Sequence, residues 1–183
     1  MKYKTCLSIG EKNPKKLKII IKKALTKSEG GLFTGKEDER KSILRLIAEY
    51  NPFLLDVEFN TIQKDKKLAS YLKKSKCKLL ISWHDFKKTP NESQLKSRFK
   101  KMEKFSNVVK IVTVAKNVSD ASRLLSLYSI KSENNMVAFC MGDQGKFSRI
   151  LCLHLGSPFT YVALGKAIAP GQFSVDEIKS LQY

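Results

Sequence analysis

The sequence predicts an α/β protein built around a parallel sheet, either an open doubly wound sheet or a (β/α) barrel. Strand patterns alternate with amphipathic helical patterns at a period of roughly 25–30 residues, which is typical of βαβ units. The central strands are apolar on both faces, as strands covered on both sides are. Of the 183 residues 42% are hydrophobic, which suits one domain over residues 1–183 with a single core.

The first part of the chain is predicted to contain one strand and two helices. Residues 5–9 alternate as a short strand does, and Pro14 then stands at the first position of a helix with lysines on its outer face. A loop at 28–31 precedes a second amphipathic helix at 36–50. The residues of this helix that we expect to face inward are Ile43, Leu44, Leu46 and Ile47.

From residue 53 onward the alternation is regular. Further strands are predicted at 53–59, 77–83, 107–114, 136–141 and 159–164. Helices are predicted at 65–74, 93–105, 121–127, 148–155 and 174–181. Ligands of such folds bind at the carboxyl ends of the strands, whichever of the two architectures is present. The residues at those ends are Ser8, Glu58, Asn60, Ser82, His84, Asp85, Lys110, Thr113, Cys140, Met141, Asp143 and Tyr161.

Lys110 and His84 are the residues of this set best suited to Schiff-base and acid–base chemistry. Lys110 lies within a run of β-branched residues at 108–112, so we expect its side chain to enter a buried interior. Burial disfavours the charged amine and is expected to lower its pKa, which would make it a nucleophile of the Schiff-base type. The alternative is a lysine that snorkels to the rim. His84 follows a buried strand and suits acid–base work, against the alternative of a structural histidine.

Two further candidate residues, Arg149 and His154, lie on the helix predicted at 148–155. Arg149 begins the helix after a turn at 142–145, where its guanidinium and the free N–H groups would suit a carboxylate or phosphate. The alternative is a surface arginine that pairs with an acid. His154 stands among leucines, and we interpret it as a packed or rim residue.

Composition argues against several classes of protein. The four cysteines are not spaced as metal-binding pairs, so we expect no zinc site and reduced thiols in a cytoplasmic protein. We expect no secretory signal and no membrane helix, since apolar runs fall far short of the ~20 residues required. The net charge is +18, but the basic residues are spread along the chain without a nucleic-acid motif. We therefore expect a solvated lysine-rich surface and no specific nucleic-acid partner.

In type and order these residues resemble those of type I 3-dehydroquinate dehydratases, the Schiff-base class of the shikimate pathway. The matching segments span nearly the whole chain. They are 5–8 (TCLS), 29–31 (EGG), 56–58 (DVE), 82–86 (SWHDF) with 89–90 (TP), 109–111 (VKI), 141–142 (MG) with 148–149 (SR), 156–157 (GS) and 169–172 (APGQ).

The resemblance implies a (β/α)8 barrel of TIM type that dehydrates 3-dehydroquinate to 3-dehydroshikimate, in the biosynthesis of chorismate and aromatic amino acids. By matching position, Lys110 would form an imine with the substrate ketone, His84 would be the general acid–base, and Glu29 would orient that histidine. Because the imine supplies the chemistry, the resemblance implies no metal and no separate cofactor. It also implies a homodimer. The positions that match substrate-binding residues are Arg149, Gln172, Ser8 and Tyr161.

The sequence departs from the family pattern ahead of the 29–31 motif. The family has two more strands there, whereas here Lys27 and Ser28 run straight into Glu29, so we count six strands rather than eight. We favour a segment omitted from the given sequence, because the flanking motifs are intact and a barrel open at two edges should fold poorly. If the second and third strands are truly absent, the alternative function is a catalytically inactive barrel that serves as a binding or structural module.

Overall fold

The computed structural model describes residues 33–130, 135–163 and 169–180, and these residues form one parallel sheet with helices against it. The strands are β1 (Leu55–Glu58), β2 (Leu79–Asp85), β3 (Val108–Val114) and β4 (Asn135–Met141). They pair in the order β1-β2-β3-β4. Right-handed crossovers between such neighbours put every connecting helix on the same face, whereas a doubly wound sheet reverses its strand order. Within the described residues the order is that of a barrel wall.

The helices follow the strands as the sequence predicts, with polar residues that begin several of them. They are α1 (Glu37–Glu49), α2 (Phe59–Lys64), α3 (Lys66–Lys74), α4 (Glu92–Met102), α5 (Val118–Leu125), α6 (Ser148–His154) and α7 (Val175–Ser180). Asn91 and Gln94 form a capping box at α4, and Asn117 caps α5 through the N–H of Asp120. Each cap satisfies a backbone donor that the first helical turn leaves free.

The main hydrophobic core lies between the sheet and the helices. Val57, Ile81, Ile111 and Ala138 project from successive strands toward this side and are fully buried. The helices contribute a set of buried apolar residues to it, namely Leu44, Leu68, Leu72, Leu95, Phe99, Ala121 and Leu124. Since side chains alternate along a strand, the intervening residues must face the other side of the sheet.

The opposite, inner face of the sheet carries polar residues among apolar ones. The strand register sets Glu58, Ser82 and Lys110 side by side in one row. His84 lies one row nearer the carboxyl ends, opposite Val112. This face therefore gathers Glu58, Ser82, His84 and Lys110, whereas Cys140 of the same strand-end set packs in the core on the helix side of the sheet.

Several predicted elements are corrected by the structure. Residues 159–163 form no strand with β4; in this segment Ala163 makes a single bridge to Ser174. Phe59 begins the short helix α2 instead of ending β1, because the chain turns at Glu58. Leu46, which we expected to face inward, is 57% exposed, whereas Arg40 of the same helix is buried.

Part of the sequence argument falls on residues outside those described. The predicted strand at 5–9, the helix after Pro14 and the 29–31 motif are among them, and so are the candidate residues Ser8 and Glu29. In the described ranges, no helix combines the length and the apolar character that crossing a membrane requires.

Candidate active site

Lys110 lies at the middle of β3 with its side chain in the interior. The residue is 6% exposed, and its Nζ forms an ion pair with Oδ2 of Asp56, which projects from β1 on the far side of β2. The same Nζ lies 5.0 Å from the centre of the Tyr161 ring. The lysine therefore does not snorkel to the rim but enters the inner face, as the run of apolar residues around it predicts.

The protonation state of Lys110 differs from the sequence expectation. Burial does lower the pKa of the amine, but the charge of Asp56, together with Tyr161, outweighs it and holds this pKa above its ordinary value. The expectation of a lowered pKa was wrong because it considered burial alone and not a carboxylate two strands away. A raised pKa makes Lys110 an ammonium ion at neutral pH, which must lose a proton before it can act as a nucleophile.

His84 is the penultimate residue of β2 and lies on the same face of the sheet as Lys110. It is half-buried, and its ring stacks on Phe86 with centroids 5.7 Å apart and an angle of 16° between the planes. Ser82, two residues earlier, is the register partner of Lys110. The histidine therefore stands one row above the lysine, toward the carboxyl ends of the strands where a ligand enters.

Arg149, at the start of α6, is buried and not a surface residue. It is 2% exposed, and its guanidinium lies 4.4 Å from the centre of the Phe139 ring. Nη2 donates to the Pro170 carbonyl at 3.3 Å, and Nε has no hydrogen-bond partner among the described residues. Burial lowers the pKa of the guanidinium to about 10. A buried cation with a free donor suits an anionic ligand.

Tyr161 and Gln172 flank this region from the chain after β4. The Tyr161 ring packs against Phe139 and Phe159 at centroid distances of 6.0 and 5.7 Å. Gln172 is 8% exposed and follows Gly171, which has a positive φ of 68°.

The loop at 169–172 is held against the carboxyl end of β4. The N–H of Gly142 donates to the Pro170 carbonyl at 3.3 Å, and a Cβ on Gly171 would lie 2.6 Å from the Gly142 carbonyl oxygen. Only glycine permits this approach without displacement of the backbone. The close approach places the Pro170 carbonyl next to Arg149.

Sequence reasoning missed two residues, Arg40 and Asp56. Arg40 is 1% exposed; it donates to Glu37 at 2.8 and 2.6 Å and lies 3.4 Å from Oε2 of Glu58. A signal was present, since Arg40 is in helical register with the buried Leu44. Asp56 likewise interrupts the apolar pattern of β1, as Lys110 does in β3. Arg40 and Glu58 also line a cavity of about 690 Å³ between α1 and α2, separate from Lys110.

Several buried polar atoms of the described residues have no hydrogen-bond partner. They are Asp56 Oδ1, Ser82 Oγ, Arg149 Nε and Thr160 Oγ1. Buried polar atoms are almost always paired, so the unpaired oxygens of Asp56 and Ser82 on the inner face suit a polar ligand. The described residues contain no cluster of three or more His, Cys, Asp or Glu side chains that could hold a metal ion. What the face offers is an amine, a carboxylate, an imidazole and a guanidinium.

These features define the class of protein: a parallel α/β barrel with a buried lysine–carboxylate pair on its inner face. The chain belongs to the type I 3-dehydroquinase family, whose model matches residues 4–183. The family membership that the sequence motifs indicated, and with it the TIM-type barrel as fold class, is confirmed. In the described residues, four parallel strands of that barrel are present.

The named relatives are similar over most of this chain. It is 39% identical over 161 residues to a 3-dehydroquinate dehydratase of Pyrobaculum aerophilum. This match covers 87% of the present chain and 52% of the Pyrobaculum protein. It is 37% identical over 154 residues to a 3-dehydroquinate dehydratase of Dehalococcoides mccartyi, with 82% and 68% covered.

A solved type I 3-dehydroquinate dehydratase from Clostridium difficile, with covalent modified comenic acid, superposes with a TM-score of 0.75. The identity is 28%, and the match covers 84% of this chain and 63% of that one. The chain thus spans about half the length of the Pyrobaculum relative and less than two thirds of the Clostridium structure.

Proposed function

We propose that this protein, as a single domain over residues 1–183, is a 3-dehydroquinate dehydratase that works through a Schiff base on Lys110. The observation that carries the proposal is the buried Lys110 on the inner face, beside the row of His84, in a chain of this family. The product would be 3-dehydroshikimate, and water would be released. The enzyme would be a lyase of the shikimate pathway.

In the first half of the reaction Lys110 becomes an imine. His84 takes a proton from the ammonium ion, and the neutral amine attacks the ketone carbon of the substrate. The resulting carbinolamine loses its hydroxyl as water, with the proton returned by His84. Glu29, by its match to the family motif, would orient the ring of this histidine.

In the second half the protonated imine acts as an electron sink. It acidifies the neighbouring C–H bond, and His84 removes that proton. The enamine so formed expels the hydroxyl on the next carbon, which leaves as water with the proton held by His84. Hydrolysis of the imine then frees Lys110, so the reaction requires neither a metal nor a separate cofactor.

Arg149 would bind the carboxylate of the substrate. Its buried charge and its Nε, which has no partner among the described residues, support this role. A charge-assisted hydrogen bond to a carboxylate replaces the hydrogen bonds with water that the guanidinium loses on burial. Gln172, Tyr161 and Ser8 would contact the rest of the substrate. We propose that the protein forms a homodimer. We propose no specific nucleic-acid or membrane partner.

We also propose a cytoplasmic location. The buried free thiols of Cys77, Cys140 and Cys152 support it, since a reducing compartment keeps thiols unpaired.

A turnover assay tests the proposed function. Dehydration places a carbon–carbon double bond in conjugation, so product formation is followed by ultraviolet absorbance. We expect turnover by the unmodified protein and none by Lys110→Ala, while the exposed Lys116→Ala just beyond β3 keeps full turnover as the control. Full turnover by Lys110→Ala would contradict the Schiff-base mechanism.

The second candidate, an inactive barrel relative that serves as a binding or structural module, rests on the direct passage from Lys27 to Glu29. It predicts a folded protein that binds 3-dehydroquinate without any turnover. Calorimetric titration beside the assay separates the two, because only the enzyme shows both binding and product.

A further inference from the structure

The ion pair between Lys110 and Asp56 joins the centre of the proposed chemistry to a carboxylate. The lysine side chain is 7% exposed and that of Asp56 is 27% exposed. Oδ2 of Asp56 contacts the lysine Nζ, whereas Oδ1 is sealed from solvent and has no partner among the described residues. The carboxylate is thus in direct contact with the nitrogen that would form the imine.

Imine formation keeps the charge of that nitrogen. An ammonium ion and a ketone give a protonated imine and water, so one positive charge is present before and after, and no other reactant is consumed. One N–C double bond forms, the C=O bond breaks, and two of the three ammonium protons leave in the water. A carboxylate that pairs with the ammonium ion can therefore pair with the product cation without a change in its own charge.

We propose that Asp56 is the counter-ion of the protonated imine on Lys110 and hence a catalytic residue. The inference rests on the proposed function. A buried cation without a partner loses its proton, and a neutral imine is a poor electron sink. Asp56 keeps the imine protonated until the neighbouring C–H bond is broken. In the enamine that follows, the nitrogen is neutral, and its positive charge returns when the hydroxyl leaves as water with the proton from His84, so Asp56 again pairs with a cation.

The other titratable groups of the described residues near this face are held differently. Glu58 pairs with Arg40, and Arg149 lies over the Phe139 ring. Tyr161 lies beneath the lysine, and His84 stands one row above it. Substitution of Asp56 alone replaces none of these side chains, so we attribute a shift of the pH profile in such a variant to the lost carboxylate.

The experiment follows trapping of the imine against pH. Cyanoborohydride reduces a protonated imine and spares a neutral one, so the trapped fraction falls at the pH where the imine loses its proton. We call this fall of the trapped fraction at high pH the alkaline limb. For Asp56→Asn we expect the alkaline limb to move to a pH lower by about one unit or more, because the opposite charge has been removed. The control is Asp38→Asn in the first turn of α1, which is exposed and should leave the limb in place.

A purely structural ion pair gives a different result. It would lower the Tm of Asp56→Asn but leave the alkaline limb where it is, and that outcome overturns the inference. If Asp56→Asn does not fold by circular dichroism, Asp56→Glu serves instead; a retained carboxylate at altered distance should give a smaller shift in the same direction, and an unshifted limb again overturns the inference.

Trapping of the imine also distinguishes a failure of the proposed function from a failure of the counter-ion proposal. Absence of any trapped adduct in the unmodified protein contradicts both the Schiff base and its counter-ion. An adduct that depends on Lys110 but has the same pH profile in Asp56→Asn contradicts only the counter-ion.

Discussion

At the scale of single residues, Arg149 is the most direct test of how the substrate is held. It is buried, and its Nε has no hydrogen-bond partner among the residues that the structure describes. Hydrogen bonds to charged groups contribute about 1.5–3 kcal/mol, so Arg149→Gln should raise KM for 3-dehydroquinate roughly 10- to 100-fold. Steady-state kinetics measure this, with Arg45→Gln on α1 as a control. An unchanged KM would show that the carboxylate binds elsewhere.

Gly171 tests the loop that carries Gln172. Its φ is 68°, and a Cβ there would meet the Gly142 carbonyl at 2.6 Å. Gly171→Ala should therefore displace the loop and raise KM, besides a loss of stability of about 1–3 kcal/mol from strain.

Gly156 provides the matched control for that variant. Its φ is 105°, but a Cβ there would meet nothing within 4 Å. Gly156→Ala should lose stability through backbone strain and keep its KM. Equal KM values for the two variants, measured beside their unfolding curves, would mean that the loop does not position substrate-binding groups.

At the scale of elements, α1 is held to the sheet by a buried charge as well as by apolar contacts. Arg40 lies against Glu58 and Thr61 at the carboxyl end of β1. Arg40→Ala leaves Glu58 buried without its cation, which should cost about 3–5 kcal/mol in the free energy of unfolding. Urea denaturation measures the loss.

The same helix supplies the comparison. Leu46 is 57% exposed, so Leu46→Ala should stay within about 0.5 kcal/mol of the parent protein. A larger loss for Leu46→Ala than for Arg40→Ala would mean that the original assignment of the inward face was right.

The elements also show what the sequence could predict. The four strands and their helices were predicted nearly in place, because parallel strands are apolar throughout and their helices are amphipathic. The inner face of α1 was assigned partly wrongly, since hydrophobicity alone cannot rank Leu46 against an arginine that has a buried partner. The segment 159–164 resembles a strand in composition, but pairing depends on neighbours that a local pattern does not contain.

The sequence predicts where the candidate residues lie better than it predicts their electrostatics. Lys110, His84 and Arg149 are candidates because they are polar residues at strand ends or in apolar surroundings, and their role in the site stays a prediction. The raised pKa of Lys110 could not be predicted from the local sequence, because it depends on Asp56. That residue is 54 positions away in the chain and meets the lysine only across β2.

At the scale of the whole molecule, the charge of +18 should act on an anionic substrate. Positive potential raises the encounter rate, and salt screens it with a Debye length of about 10 Å at 0.1 M. We expect kcat/KM for 3-dehydroquinate to fall several-fold as salt is raised from about 0.05 to 0.5 M, with little change in kcat.

A nucleic-acid partner would respond differently to the same conditions. Nonspecific binding of a DNA duplex to so basic a chain should vanish steeply with salt and show no sequence preference. Binding to one duplex sequence that persists at high salt, measured by fluorescence anisotropy, would contradict the interpretation of the lysines as a solvated surface.

The measurement that tests the central claim most directly is the intact mass of the protein after incubation with 3-dehydroquinate and borohydride. The account predicts the mass of one reduced ligand added to the chain, located on Lys110 by peptide mapping and absent from Lys110→Ala. The untreated sample shows whether the chain has 20.8 kDa or carries the segment expected before Glu29. A folded chain of 20.8 kDa without any adduct would contradict the account and favour the inactive barrel.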